Sequence, residues 1–172
     1  LSDLLRSGAI PSVRLTEIFR QAQKSLIVMN AHRVNRGILP DLKTTTSDFF
    51  FLRRRSEETV ASTLGELCQT RLPERMGIPP EEIQVLSPTR KGPTGTANLN
   101  RLLQARLNPP APEKKEKKWG DFSFREGDRV MQIRNNYDIL WKKTDGSQVG
   151  TGVFNGDIGV ITQIDLHAEL MT

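Results

Sequence analysis

Two cations, Arg90 and Lys91, lie inside the run SPTRKGPTGTAN, among two glycines, two prolines and several hydroxyl side chains. Glycine lets the backbone come close to a ligand, and successive turn N–H groups together with cationic side chains suit an anion, so this loop is expected to meet one. The residue order excludes one such site. A Walker A loop needs GxxxxGK[ST], with its lysine opening the helix, whereas Lys91 precedes the second half of this loop. The expected anion is therefore a nucleic-acid backbone rather than a nucleotide tail. On spacing alone, an ordinary strand-to-helix turn capped by Thr94 or Thr96 is the alternative.

Arg20 offers a second chemistry. In LTEIFRQAQ it stands where an apolar stretch meets a helix, a place from which a guanidinium can reach the γ-phosphate of a nucleotide bound elsewhere, as an arginine finger does. A surface ion pair with Glu17, three residues earlier, is the competing reading. Gln21 and Gln23 either hydrogen-bond beside it or are solvated. His32 and Asn35, next to Arg33 and Arg36, can present donors to the bases and phosphates of a single strand. The alternative is a helix C-terminus whose cations complement the dipole. For a metal there is no frame, because Cys68 is the single cysteine and His32 and His167 are far apart in sequence.

The chain that must position these residues has 172 of them, 36% hydrophobic, enough for one core or a core with a small appendage. Lys and Arg outnumber Asp and Glu by 25 to 20, and the cations cluster at Arg53 to Arg55, Arg90 to Lys91 and Lys114 to Lys118. Such clustering fits a polyanion partner, although a net charge of +5 also serves ordinary solubility. One cysteine excludes an internal disulfide and suits a reducing cytosol. No apolar run approaches the roughly 18 residues of a membrane span, so a soluble, cytoplasmic protein without membrane contact is expected. The ends, Leu1 and Thr172, carry no evident caps, and the chain is expected to be a piece of a longer polypeptide.

Residues 1–10 predict a short amphipathic helix begun by Ser2 and stopped by Gly8. Residues 21–36 place Ala22, Leu26, Ile27, Met29, Ala31 and Val34 in an apolar band at helical spacing, ended by Gly37. Phe49, Phe50, Phe51 and Leu52 form a continuous apolar run, as in a strand covered on both faces. Ser56 with Glu57 and Glu58 opens a helix along Val60, Leu64, Leu67, Cys68 and Leu72 that is expected to stop before Pro73. Ile83, Val85 and Leu86 predict a buried strand, and Leu99, Leu102, Leu103 and Leu107 a helix after the basic loop. Strands alternating with helices imply a parallel, covered sheet. At Asn108 the character changes: PPAPEKKEKK reads as a linker, and the short alternating runs beyond it carry the Gly-Asp and Asn-Gly punctuation of hairpins.

The segments LTEIFRQAQKSLIVMNAHRVNRG, DFFF, RLPERMGI, IQVLSPTRKGPTGTANLNRLLQARLNP, FREGDRVMQIRNNYD and VFNGDIGVI resemble, in this order and over nearly the whole chain, the RecD-like DNA helicases. These are the exodeoxyribonuclease V α-subunit family, ATP-driven superfamily 1 motors that run 5′ to 3′ on single-stranded DNA. The resemblance implies an α/β fold, a partial RecA-like parallel-sheet domain followed by a small SH3-like β-barrel portion. Residues 1–14 would be the tail of the first RecA-like motor domain, 15–119 the leading part of the second, and 120–172 an incomplete barrel insertion.

Arg20 matches the family's motif IV arginine, which senses the γ-phosphate, with Gln21 beside it on the nucleotide side. His32, Asn35, Ser87, Pro88, Thr89, Arg90, Lys91, Thr94, Gly95 and Asn98 fall in segments that line the single-strand path. The implied partners are single-stranded DNA and the rest of the helicase polypeptide, in repair and recombination. ATP and Mg2+ are implied for the intact enzyme, held mainly by a first motor domain. This sequence has no Walker A loop, no Walker B acidic pair and no T-x-H-K-x-Q-G-S-E segment after the barrel, so it is not expected to hydrolyse ATP alone. The stretch from Trp141 to Gly152 is longer than the expected connection between NNYD and VFNGD and reads as a hairpin tip. Two other classes share the same charges: a non-catalytic basic nucleic-acid-binding module, and an interaction domain in which the basic patches are incidental.

Overall fold

The structure, a computed structural model, describes residues 2–13, 24–46 and 48–172. The chain divides into two units, Leu1–Arg53 and Arg54–Thr172.

In the first unit a short, exposed helix α1 (Ser2–Ser7) precedes α2 (Leu26–Asn35). Helix α2 starts where it does because its free N–H groups find acceptors. Ser25 Oγ accepts from Val28 N at 3.2 Å, and Asp48 Oδ1 accepts from Leu26 N and Ile27 N at 2.7 and 3.2 Å. The buried Asn30 side chain pairs with both backbone groups of Asp41, at 3.0 and 2.7 Å, and so pins the following loop to the helix. The Asp41 carboxylate in turn accepts from the Lys43 and Thr44 N–H groups and the Thr44 hydroxyl, which holds it below the usual carboxylate range.

The second unit opens with α3 (Glu57–Glu66), capped by Ser56 Oγ on Thr59 N at 3.2 Å and carrying Glu57 and Glu58 at the positive end of its dipole. The helix does not stop before Pro73. It passes through a π-helical turn, Leu67–Arg71, into α4 (Leu72–Met76), and Gly77 closes it. A proline inside an α-helix lacks its N–H and presses on the carbonyl four residues back; the wider turn, with Leu72 N on Leu67 O, removes that conflict. A 3-10 turn, Pro80–Glu82, and the basic loop lead to α5 (Thr96–Leu107). Helix α5 packs on α3 with Ala61, Cys68 and Leu99 buried between them. The approach is close at Gly65, where an added Cβ would stand 2.7 Å from Leu102 Cδ2.

Beyond α5 the chain forms four antiparallel two-stranded ladders. Strands β1 (Glu116–Trp119) and β2 (Phe122–Arg125) form a hairpin, so the last three residues of the expected linker are strand. Strand β3 (Arg129–Met131) pairs with β6 (Ile158–Val160), β4 (Asn136–Lys142) with β5 (Val149–Val153), and β7 (Ile164–Asp165) with β8 (Leu170–Met171). Ile161 and Ile164 make the core of this β unit. The hairpin expected at the tip of 141–152 is the β4–β5 turn, whereas Asn155 and Gly156 connect strands of different ladders.

Among the described residues no parallel sheet forms. The apolar run at 49–52 and the segment 83–86 lie outside any ladder; Phe50, Phe51 and Leu52 are about half exposed and Leu86 is 86% exposed. A parallel strand cannot pair with its sequence neighbour, because its partner lies a crossover away. Apolar composition alone therefore leaves these two segments unpaired. No described helix is long and apolar enough to cross a membrane.

Candidate nucleic-acid interface

The basic loop owes its shape to a few short-range bonds. Ser87 Oγ donates to Thr94 O at 2.7 Å and accepts from Thr89 N at 3.2 Å, drawing the two arms of the loop together. Gly95 N donates to Gly92 O at 3.1 Å, and the Asn98 side chain donates to Pro93 O at 2.8 Å. Gly95, buried, is the N-cap of α5 and contributes no side-chain cap; neither Thr94 nor Thr96 serves in its place. The helix is closed instead by the loop's own carbonyls, with Thr96 N on Thr89 O at 3.0 Å and Ala97 N on Arg90 O at 3.3 Å. A Cβ at Gly95 would meet Lys91 O at 2.4 Å, so only glycine lets the two backbone passes lie this close.

This wiring changes how the loop can meet an anion. The donors expected to face a phosphate from the start of α5 are already bonded within the loop, which leaves the task to side chains. Pro88, Thr89, Arg90 and Lys91 are exposed, and among the described residues neither Arg90 nor Lys91 makes an ion pair. Ser87, Gly95 and Asn98 hold the loop's form, and Thr94, half-buried, accepts through its carbonyl. Beneath the loop opens a cavity of about 380 Å³, with Arg54, Arg55 and Glu57 at its edge and Val60, Leu64, Leu86 and Leu99 in its lining. Arg54 Nε donates to Thr63 Oγ1 at 2.9 Å.

His32 and Asn35 occupy the last turn of α2, in the first unit, the histidine half-buried and the asparagine exposed. Beside them Arg33 Nε donates to Leu39 O at 2.7 Å, closing the helix end on the following loop. Arg20 and Gln21 lie outside the described residues. In the charge run 114–118, Lys114 donates to Asn108 Oδ1 at the end of α5 and Lys117 pairs with Glu169 of the β unit at 2.8 Å, so two of its lysines are engaged within the fold.

The N–H groups at the start of α5 are taken by carbonyls, and among the described residues no group of three or more His, Cys, Asp or Glu side chains is placed to hold a metal ion. The arrangement can instead offer two exposed cations on a hydrogen-bonded turn, which suits phosphates along a flexible strand.

Sequence reasoning missed the carbonyl closure of α5 and the Asp48 cap of α2. The only signal for the first was a glycine directly before the helix with no capping side chain beside it in use.

Residues 99–172 match a family model described as the ATP-dependent RecD-like DNA helicase SH3 domain. Over 162 residues, 94% of this chain, the sequence is 30% identical to an ATP-dependent RecD2 DNA helicase of Deinococcus radiodurans. That match covers 19% of the relative, so the chain spans about a fifth of its length. The antiparallel β unit, together with the larger part of α5, is therefore similar to the SH3 domain of RecD-like DNA helicases, and the chain as a whole is similar to part of a RecD2 DNA helicase.

Proposed function

We propose that this chain is the DNA-gripping portion of an ATP-dependent 5′-to-3′ DNA helicase. On this reading residues 1–14 close a first motor domain, 15–119 begin a second, and 120–172 belong to its SH3-like insertion. The unpaired apolar segments at 49–52 and 83–86 are then strands of a RecA-like parallel sheet that further chain completes. Arg20, with Gln21, faces the γ-phosphate of ATP and Mg2+ held mainly by the first motor domain, in a cytoplasmic enzyme. Arg90 and Lys91 contact the phosphates of single-stranded DNA, Pro88 and Thr89 line its path, and Ser87, Thr94, Gly95 and Asn98 keep the turn in register. His32 and Asn35 add contacts from the first unit.

The observation that carries the reading is the loop itself: two exposed cations that make no ion pair among the described residues, on a turn whose Thr89, Arg90, Gly92 and Thr94 carbonyls are bonded within the loop or to the start of α5. The likeness over 94% of the chain to a DNA helicase supports the choice of DNA. The test is the salt dependence of binding to a single-stranded oligonucleotide. Each neutralised phosphate contributes about 0.7 to the slope of log affinity against log salt. Arg90→Ala with Lys91→Ala should therefore make the slope shallower by about 1.4. A slope unchanged by the pair would remove the loop from the DNA path.

A further inference from the structure

The far end of α5 is bonded to the β unit as tightly as its near end is bonded to the basic loop. Asp128 receives three donors: Gln104 Nε2 at 2.6 Å, Asn108 Nδ2 at 2.8 Å and the backbone N–H of Arg125 at 2.8 Å. Gln104 also donates to Ser123 O at 2.8 Å, and Asn108 to Glu126 O at 3.1 Å. The Arg125 guanidinium, 7% exposed, donates to Asn108 O and to Glu116 at 2.7 Å, which crosses to strand β1. Apolar contact would let the helix slide or roll on the β unit. Directional bonds to a carboxylate and to backbone carbonyls set one angle. The span between the two bonded ends is about 18 Å, the length of a 12-residue helix.

Resting on the proposed DNA contact of the loop, we infer that Gln104, Asn108 and Asp128 are positioning residues: through α5 they make the β unit and the DNA-contacting loop one lever, so that a strand held at the loop is felt in the β unit. None of the three needs to touch DNA.

Amide hydrogen exchange of the full chain, with and without a short oligothymidylate, tests this through the bound-to-free ratio of rates. In the unmodified chain, binding slows exchange at 87–96 and also at 125–131, the latter by about five-fold or more, the lower range of coupling between linked sites. In Asp128→Ala the slowing at 87–96 stays and that at 125–131 is lost. Gln104→Met keeps the helix and the volume while deleting two donated bonds. It gives a partial loss at 125–131 and keeps the variant series readable if Asp128→Ala fails to fold. A merely structural role would lower the unfolding midpoint of both variants and leave the ratio at 125–131 as in the unmodified chain, which would overturn the inference. Absence of any slowing at 125–131 in the unmodified chain would overturn it too. Should the oligonucleotide leave even 87–96 unaffected, it is the proposed DNA contact that falls.

Discussion

Replacing Gly95 by alanine tests the loop with a single methyl group. The φ of Gly95 is −72°, a value any residue adopts, so the substitution carries no torsional strain. Its whole effect comes from contact: the new Cβ would stand 2.4 Å from Lys91 O and 2.6 Å from the Arg90 and Lys91 carbonyl carbons. These are main-chain atoms, and relieving the collision moves carbonyls that hold α5, through Thr89 O on Thr96 N and Arg90 O on Ala97 N. Two ordinary hydrogen bonds are worth together about 1–3 kcal/mol. The stiffer unfolded chain of an alanine variant returns about 0.4–1 kcal/mol. The expected net loss is on the order of 1–2 kcal/mol, read as a lower urea midpoint by circular dichroism. Arg90 and Lys91 remain present but displaced, so affinity for a single-stranded oligonucleotide should fall by about ten-fold, the equivalent of about 1.4 kcal/mol.

Gly92 supplies the control. Its φ is +85°, and a Cβ there meets only the end of the Glu57 side chain, at 3.3 Å. Alanine at 92 costs through backbone strain, about 1–2 kcal/mol, and asparagine, which tolerates positive φ, should recover part of that loss. Asparagine at 95 should recover nothing. An alanine at 95 with unchanged midpoint and unchanged affinity, or one rescued by asparagine, would refute the collision argument.

In a polypeptide that includes the complete motor, Arg20→Ala should leave DNA binding largely intact and lower ATP turnover by about 10³-fold or more, as arginine-finger loss does; turnover near that of the unmodified enzyme would remove Arg20 from the nucleotide. Cys68 is buried and its thiol is pushed up by desolvation, so it should resist a thiol reagent in the folded chain and react on addition of urea; fast labelling without denaturant would contradict the packing of α3 on α5. Arg125 holds the Glu116 carboxyl below its usual range, and the Ile164 and Lys115 N–H groups do the same for Glu126. Each glutamate thus binds its proton more readily in the unfolded chain, so its contribution is complete above the ordinary glutamate pKa of about 4.3 and is lost as pH falls through the lowered values. Urea midpoints across that acid range should drop less steeply for Glu126→Gln than for the unmodified chain.

Much of the helical layout was legible because its signals are local. Ser56 with two glutamates, the apolar spacing from Val60 to Cys68, and the leucines after Thr96 are each decided within a turn or two of chain. The hairpin grammar after Asn108 was legible for the same reason, and it yielded the antiparallel strands. What failed was whatever depended on a distant backbone. The Phe49 to Leu52 run has the composition of a covered strand, but a strand exists only beside its partner, and no partner for it stands among the described residues. Pro73 read as a stop because a single π-helical turn leaves no periodic trace.

At the candidate site the cations of the basic loop were plain from composition, but the engagement of its N–H groups was not, because Thr89 and Arg90 act through carbonyls that every residue possesses. The polar knot of Gln104, Asn108 and Asp128 escaped as well. Asparagine before two prolines, and aspartate after a glycine, look like punctuation until residues 20 or more apart in sequence are brought face to face.

The wide turn at Leu67–Arg71 gives this helix a phase as well as a length. One residue beyond the α-helical count shifts the numbering of all that follows by about 100°, so the side chains of α3 and α4 follow different clocks. Deleting any one of those five residues would close the wide turn to an α-helical one, leaving Leu72 near its present azimuth but setting the Pro73 ring against a carbonyl it now clears. In this stretch a one-codon deletion should be far worse tolerated than most exchanges of one side chain for another.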